Sequence, residues 1–283
     1  MPKFNKHIIV VGTARSGTSW LSETMAQQHR YRMLFEPEHE TRTKKGYLLC
    51  DQWLTSDTNT SETHRYISQV LKNRVDCDWI AQNSNRKYKL HLWPFIPKKY
   101  VIKFVRANLA AQYINSAFNV PVIHIIRNPY DVILSQKRSN FPWLYDLSIF
   151  TAQEKLVQLI KEKFNYDIST YTKLTNIEKL CLRWCIENVV PLEVFNGYKN
   201  KAAVVKYEDL VSNIDVYYNL CKSFEIEPIS NLESHYRKPS SKTHPKSELI
   251  SAQNQTKAKI TEADKARVNE LLDIFETQLY KIE

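Results

Sequence analysis

Short apolar runs alternate with longer amphipathic segments along most of the chain. Five runs of mainly β-branched and apolar residues predict strands at residues 7–12, 33–35, 100–105, 120–126 and 202–206. Apolar residues at helical spacing predict helices at residues 16–28, 63–75, 109–118, 129–137, 177–198, 209–224 and 261–280, the last with Thr261 as its N-cap. Strands that alternate with helices form a mostly parallel sheet covered on both faces. The pattern therefore predicts an α/β, three-layer fold.

Two segments do not follow this alternation. Residues 38–98 are polar and aromatic and contain one clear helical pattern, so we interpret them as an insertion or lid. Residues 231–251 form a basic loop region. A length of 283 residues fits one large or two small domains, and the chain has no internal repeat. We predict a single domain over residues 1–283, with the insertion at about 38–98.

Composition narrows the class of protein. A hydrophobic content of 43% and an aromatic content of 12% argue against a disordered chain. The apolar runs are strand-sized and too short for a membrane span, and the first residues lack the features of a secretory signal. Five cysteines without a C-x-x-C pair predict reduced thiols rather than a metal site or a disulfide framework. These observations predict a cytoplasmic protein with no membrane span.

Positive charge is concentrated in two parts of the chain. Forty Lys and Arg residues against 30 Asp and Glu residues give a net charge of +10. Residues 79–130 and 234–247 contain no acidic residue but carry eight and four basic residues. Clusters of this kind suit an anionic ligand, which in principle includes phosphate groups, nucleic acid or an acidic polymer.

A glycine-containing loop follows the first predicted strand. The segment Gly12-Thr13-Ala14-Arg15-Ser16-Gly17-Thr18-Ser19 nearly matches the phosphate-binding motif G-x-x-x-x-G-K-S/T, with Thr18 in place of the lysine. Backbone N–H groups at a helix N-terminus favour an anion, and Arg15 adds a positive charge. The missing lysine argues against a nucleotide kinase. So does Arg127, which stands at the end of the fourth strand where a magnesium-holding Asp would be expected.

Four motifs together resemble those of sulfotransferases that use 3′-phosphoadenosine 5′-phosphosulfate (PAPS). Residues 15–20, RSGTSW, resemble the 5′-phosphosulfate loop of that family. Arg127 and Ser135, eight residues apart, resemble its 3′-phosphate motif. Residues 206–210, KYEDL, and residues 237–242, RKPSSK, resemble a strand end and a late cofactor-covering loop. The four motifs occur in family order between Gly12 and Lys242.

This resemblance implies a P-loop-like fold that binds PAPS and releases adenosine 3′,5′-bisphosphate (PAP), with no metal needed. It implies that the glycine loop binds the 5′-phosphosulfate and that Arg127 and Ser135 bind the 3′-phosphate. Trp20 and Tyr207 correspond to positions near the adenine. The cofactor-binding residues implied in this way are Arg15, Ser16, Gly17, Thr18, Ser19, Trp20, Arg127, Ser135, Tyr207, Arg237 and Lys238.

The resemblance also implies catalytic residues. Val105 stands where the enzymes that act on phenols and steroids carry a histidine base, and Arg15 is typical of carbohydrate and tyrosyl-protein sulfotransferases. Those enzymes place a glutamate about one strand after the loop, so we predict Glu36 as the general base, with Arg15 and Lys103 on the transferring group. Pro37 predicts extended backbone at Glu36. The neighbouring alternatives for the base are Glu38, His39 and Glu40.

The acceptor is the least constrained part of the prediction. We predict an alcohol acceptor, a hydroxyl of an oligosaccharide or glycoconjugate, bound beside the insertion, where aromatic and basic residues alternate over residues 79–100. A tyrosyl-protein acceptor and a lipid or small alcohol are the alternatives within the family. A P-loop nucleotide kinase and a basic nucleic-acid-binding protein are the alternatives outside it, although we expect no nucleic-acid partner. The oligomeric state is left open.

Overall fold

Five parallel strands form the centre of the structure, a computed structural model that describes residues 6–28, 31–82, 99–240 and 260–282. The strands are β1 (Ile8–Val11), β2 (Tyr31–Phe35), β3 (Lys99–Phe104), β4 (Val122–Ile126) and β5 (Ala202–Lys206). Their order in the sheet is β2-β3-β1-β4-β5, and every neighbouring pair is parallel. The carboxyl ends of all five strands therefore lie at one edge, where ligands of such sheets bind.

Helices cover both faces of this sheet. They are α1 (Thr18–Ala26), α2 (Ser61–Leu71), α3 (Asp78–Ala81), α4 (Ala111–Phe118), α5 (Pro129–Ser139), α6 (Ser148–Thr151), α7 (Glu154–Phe164), α8 (Asn176–Trp184), α9 (Tyr207–Ser212), α10 (Ile214–Ser223), α11 (Leu232–Tyr236) and α12 (Glu262–Ile274). Short 3₁₀ turns occur at Gly46–Leu48, Pro142–Leu144 and Ile168–Lys173. None of the helices in these described ranges is long and apolar enough to cross a membrane.

Alternate residues of β1 show how the layers form. Ile9 and Val11 pack with apolar residues of α2 and α4, whereas Ile8 and Val10 pack with those of α1 and α10. A strand buried on both faces needs an unbroken apolar run, which explains the sequence pattern. The α/β fold with a parallel sheet between helical layers is confirmed.

One predicted helix changes its winding. In place of a single helix over residues 177–198, α8 ends at Trp184 and a π-helical segment continues over Cys185–Val194. Pro191 lies inside that segment, has no N–H to donate, and crowds the preceding turn. A wider helical turn is one way in which a buried chain accommodates such a residue.

Other helix boundaries differ for local reasons. The helix predicted over residues 209–224 is divided into α9 and α10 at Asn213, whose backbone is extended and whose side chain accepts the Asp215 N–H at 2.8 Å. Thr261 is confirmed as the N-cap of α12, but that helix ends at Ile274 rather than at residue 280. The pattern analysis missed α7, whose buried face carries only Leu156 and Ile160.

The segment predicted as an insertion is partly built into the core. Leu49, Tyr66 and Ile67 are buried and pack in the same cluster as Tyr100 and Ile102 of β3. The second part of the segment, residues 83–98, lies outside the described residues, as do residues 241–251 of the predicted basic loop. The division into one domain with an insertion stays a prediction.

His124 places a titratable group in the middle of β4. Its side chain is fully buried, and Nδ1 shares a hydrogen bond of 2.8 Å with the Tyr198 hydroxyl. The other ring nitrogen, Nε2, has no hydrogen-bond partner. Burial lowers the pKa of His124 to about 3, because the charged ring cannot be solvated there.

We expect His124→Gln to flatten the pH dependence of stability. Between the folded pKa of about 3 and the unfolded value of 6.5, only the unfolded chain binds this proton. Protonation of His124 in the unfolded chain therefore does not reduce the free energy of unfolding above pH 6.5. As the pH falls below that value, it lowers the free energy of unfolding by up to about 1.4 kcal/mol per pH unit. Denaturant unfolding of both proteins between pH 4 and 6.5 measures the slope. An unchanged slope in the variant would contradict a neutral, buried His124.

Candidate functional site

The glycine loop between β1 and α1 approaches its neighbours too closely for side chains at two positions. A Cβ on Gly12 would lie 2.2 Å from the carbonyl oxygen of Ile125 in β4. A Cβ on Gly17 would lie 2.5 Å from the ring of Tyr207, and Gly17 has a φ of +92°, which L-residues rarely adopt. The two glycines thus set the path of the loop at the carboxyl edge of the sheet.

Buried polar groups from distant elements hold this loop. The Thr13 hydroxyl donates to Oε2 of Glu187 at 2.7 Å and accepts from the side-chain amide of Asn188 at 2.9 Å. The side-chain amide of Gln136 donates to the Ala14 carbonyl at 2.9 Å. Glu187 and Asn188 are not among the predicted site residues, and the signal for them is the presence of polar residues within an apolar predicted helix.

The loop offers unpaired donors at the N-terminus of α1. Ser16 is fully buried, and its hydroxyl oxygen has no hydrogen-bond partner. Thr18 is the first residue of α1, and Ser19 follows it on the same turn. An anion bound here would accept from the Ser16 hydroxyl and from the free N–H groups of the first helical turn.

Two arginines from different motifs meet beside the loop. Arg15 is exposed, and its Nε donates to the hydroxyl of Ser135 in α5 at 3.0 Å. Nη1 of Arg127 donates to the Arg15 carbonyl at 3.2 Å, while Nε of Arg127 is buried without a partner. Partial desolvation and the positive charges of Arg127 and Arg138 lower the pKa of Arg15. A bound anion would relieve this repulsion, so the cluster suits a phosphate or sulfate group.

Arg127 is held in place through its own backbone. The Trp184 indole donates to the Arg127 carbonyl at 3.1 Å, and the guanidinium lies 4.6 Å from the centre of the Tyr207 ring. The N–H of the next residue, Asn128, donates to one carboxylate oxygen of Glu208 at 2.9 Å. Nη2 of Arg127 also forms an ion pair with Asp131 of α5 at 3.4 Å, so the direction of the side chain depends on α5, α8 and the start of α9.

The residues predicted near the adenine lie on one side of the loop. Trp20 is buried, its indole donates to the Tyr236 carbonyl at 2.9 Å, and its ring meets the Tyr207 ring edge-on at 5.8 Å. Arg237 and Lys238 follow α11 directly and are exposed. Their contacts with a cofactor, and the stacking role of Trp20, stay predictions.

A cavity of about 510 Å³ opens next to the loop, between the ends of β2 and β3. Arg15, Glu36 and Lys103 all line it. Nζ of Lys103, a nearly fully buried residue, donates a short hydrogen bond to Oε1 of Glu36 and lies 4.2 Å from the centre of the Phe35 ring. The three residues predicted to be catalytic are thus brought to one space, where Glu36 pairs with Lys103.

The backbone at Glu36 is not extended, so the expectation from Pro37 is wrong. Glu36 has a φ of +43°, in the left-handed region. Its N–H continues the sheet by donating to the Lys103 carbonyl at 3.0 Å, and its carbonyl accepts from the His39 N–H at 3.1 Å in a tight turn. The Trp79 indole also donates to this carbonyl, at 3.3 Å. These bonds hold a strained conformation of a kind that clusters at functional sites.

The neighbouring acids have other partners. Oε1 of Glu38 accepts the Val105 and Arg106 N–H groups at 2.7 and 3.1 Å, and burial together with the charge of Glu36 raises the pKa of Glu38 to about 8. The carboxylate of Glu40 accepts from Nη1 of Arg106 at 2.7 and 2.8 Å. The Glu38 carboxylate therefore accepts the backbone N–H groups that follow β3, and the Glu40 carboxylate is the ion-pair partner of Arg106.

A buried group of charges connects the cavity wall with the loop. Asp51 Oδ2 accepts from Nη2 of Arg106 at 2.6 Å and from Nη1 of Arg183 at 3.3 Å. The same nitrogen of Arg183 donates to Oε1 of Glu187 at 2.8 Å, and Glu187 in turn accepts from Thr13. Burial raises the pKa of Glu187 to about 7. No local sequence pattern links the members of this group to one another, because they are far apart along the chain.

Within the described ranges, no group of three or more His, Cys, Asp or Glu side chains is arranged to hold a metal ion.

We expect Gly17→Ala to destabilise the protein more than Gly197→Ala. Both glycines have positive φ, so both substitutions carry a backbone cost of about 1–2 kcal/mol. Gly197 has open space around it, whereas a Cβ at Gly17 collides with Tyr207, which adds about 1–3 kcal/mol. Denaturant unfolding of the two variants measures the difference. Equal losses would show that Gly17 does not need the close approach to Tyr207.

Solved structures with overall likeness to this chain include several sulfotransferases, all at low identity. The sulfotransferase domain from the curacin biosynthetic pathway is 15% identical, with a TM-score of 0.49 over 100% of this chain and 99% of that one. The corresponding domain of the Synechococcus PCC 7002 olefin synthase is 14% identical, with a TM-score of 0.48 over 97% of this chain and 95% of that one. Mouse sulfotransferase SULT7A1, complexed with PAP, is 12% identical, with a TM-score of 0.45 over 97% and 86%. No curated protein matches the chain.

The family model of the sulfotransferase domain matches residues 5–270, which is nearly the whole chain. The matched residues include the glycine loop, Glu36, Lys103, Arg127 and Ser135. The chain belongs to the sulfotransferase domain family and is an enzyme that takes its sulfuryl group from PAPS.

Proposed function

We propose that this enzyme transfers the sulfuryl group of PAPS to an alcohol hydroxyl bound in the cavity, with Glu36 as the general base. The observation that carries the proposal is the meeting of Glu36, Lys103 and Arg15 around one space. The proposal includes a carbohydrate hydroxyl as the acceptor. A cytoplasmic location is also part of it, because cysteines without a C-x-x-C pair are typical of a reducing compartment.

The residues of the loop fit the phosphate and sulfate groups of PAPS. Beside the loop, the Ser16 hydroxyl oxygen and Nε of Arg127 are buried and have no partner among the described residues, and an anion bound there would complete their hydrogen bonding. We assign the loop to the 5′-phosphosulfate and Arg127 with Ser135 to the 3′-phosphate. Because Arg15 bonds to Ser135 and also lines the cavity, it belongs to both halves of this assignment.

PAPS supplies the sulfuryl group, and the chain supplies position, charge neutralisation and a proton acceptor. The acceptor oxygen forms a bond to sulfur while the bond from sulfur to the phosphate oxygen breaks, and PAP leaves. Glu36 takes the proton of the acceptor hydroxyl on its carboxylate. Lys103 and Arg15 neutralise negative oxygens around the reacting sulfur, and Lys103 also fixes the position of Glu36 through their ion pair.

Aromatic rings in the cavity wall support a ring-shaped acceptor. Trp79, Phe141 and Trp143 line the cavity, and Phe141 is 48% exposed. Phe141 and Trp143 are nearly parallel, with ring centres 6.5 Å apart. Because the Arg106 and Arg183 guanidiniums already lie 4.7 and 5.3 Å from the centre of the Trp143 ring, the exposed Phe141 ring is the flat apolar surface that suits one face of a sugar ring. The same surface would also accept a tyrosyl side chain or a small aromatic alcohol.

We expect PAP to stabilise the protein more than AMP, which lacks only the 3′-phosphate. At a hundredfold excess over its dissociation constant, PAP should raise the free energy of unfolding by about 2.7 kcal/mol. Arg127→Ala should remove most of the difference between the two nucleotides. Lys137→Ala, an exposed position on α5, the helix that carries Ser135, serves as the control and should retain the difference. Thermal shifts with both nucleotides measure these effects, and equal shifts in the wild type would refute the 3′-phosphate assignment.

We expect Glu36→Gln to lower turnover by about 10²–10⁴-fold, the usual contribution of a general base, while PAP affinity hardly changes. The amide keeps the shape of the side chain but cannot take the proton. Single-turnover transfer from labelled PAPS and PAP calorimetry measure the two effects. Glu62→Gln, an exposed position paired with Lys45, is the control. If Glu36→Gln stays active while Glu38→Gln, Glu40→Gln or His39→Ala is inactive, the base is one of those neighbours instead.

A further inference from the structure

Among the described residues that line the cavity, Arg42 is a cationic side chain that has no acidic partner and no part in the base or the cofactor assignment. Lys103 pairs with Glu36, and Arg106 pairs with Asp51 and Glu40. Arg15 belongs to the glycine loop. Arg42 also lines the cavity, and among the residues that the structure describes no carboxylate forms an ion pair with it.

The backbone that carries Arg42 is held firmly. The Thr43 N–H donates to the His39 carbonyl at 3.2 Å, and the Thr43 hydroxyl lies within hydrogen-bond distance of the Pro37 and His39 carbonyls, at 3.1 and 2.9 Å. The Tyr66 hydroxyl donates to the Pro37 carbonyl at 2.7 Å. Arg42 thus extends from a fixed turn, which reduces the entropy lost when its guanidinium binds a ligand.

Trp79 sets where the guanidinium lies. The carbon at the centre of the Arg42 guanidinium is 5.6 Å from the centre of the Trp79 ring, within the range of a cation–π contact. Trp79 is fixed in turn by edge-on contacts with Phe35 and His39, at 5.3 and 4.7 Å between ring centres, and by its hydrogen bond to the Glu36 carbonyl. Arg42 and Glu36 are therefore both tied to Trp79, a residue of the cavity wall.

We propose that Arg42 binds a carboxylate group of the acceptor, so that the preferred acceptor is an alcohol that also carries a carboxylate. This inference rests on the proposed function, because it takes the cavity as the acceptor site. A guanidinium with no acid partner matches a carboxylate in two parallel hydrogen bonds. The aromatic side chains that line the cavity contact the ring of the acceptor. Arg42 favours those ring alcohols whose charged group lies beside Trp79 when they bind.

The test measures binding in the enzyme–PAP complex, where no transfer takes place. Two pairs of probes differ only in charge, a sugar uronate with its uronamide and a hydroxyaryl carboxylate with its amide. We expect at least one carboxylate to bind roughly tenfold more tightly than its amide in calorimetry, as for a charge-assisted hydrogen bond. Arg42→Gln should reduce this ratio to about one. Lys44→Gln, an exposed position on the same turn but outside the cavity lining, should leave the ratio unchanged.

Each outcome decides the inference. If neither carboxylate is preferred over its amide, or if the preference survives in Arg42→Gln, Arg42 does not select an anionic acceptor. If Lys44→Gln loses the preference for carboxylate over amide as completely as Arg42→Gln does, the preference reflects the general surface charge, and this result would also overturn the inference. The test is separate from that of the base, because Glu36→Gln is expected to lose turnover while keeping the carboxylate preference. Active Glu36→Gln with an intact preference would refute the base and leave the Arg42 site standing.

Discussion

The carboxylate of Asp51 lies in the interior between two guanidinium groups, with Arg106 on one side and Arg183 on the other. Burial disfavours both cations, yet Asp51 and the neighbouring acids outweigh it and raise the pKa of both arginines. Removing one partner from such a group leaves an uncompensated buried charge, which costs about 3–5 kcal/mol. The segment after β2, the end of β3 and α8 are therefore constrained to meet at Asp51.

This ion group connects the two halves of the site. On one side Arg183 leads through Glu187 to Thr13 in the glycine loop. On the other side Arg106 holds Glu40, four residues beyond Glu36. The loop assigned to PAPS and the segment that carries the proposed base are thus fixed to the same buried charges. An enzyme that works by positioning depends on such supporting contacts, because small displacements of reacting groups reduce the rate.

The two halves differ in how their charges are balanced. Lys103 and Glu36 neutralise each other, so neither is an unpaired buried charge before substrates bind. Arg15 has no acid partner among the described residues, and Nε of Arg127 lacks a partner although its Nη2 pairs with Asp131, so this side of the site keeps an excess of positive charge that favours an anion. In the proposed reaction, anionic oxygens at the sulfur are compensated by Lys103 and Arg15 while Glu36 receives a proton.

Local sequence determined the parallel sheet, the glycine loop and the placement of Arg127 and of residues 206–210 at strand ends, because apolar periodicity and glycine act over a few residues. It also indicated Glu36 as a candidate. Only the tertiary structure decided that Glu36 pairs with Lys103, that its backbone is left-handed despite Pro37, and that Arg15 bonds to Ser135. Those outcomes depend on side chains from separate strands and helices that meet in space. A buried charge pairs with the opposite charge that lies nearest to it in the folded structure, wherever that residue stands along the chain.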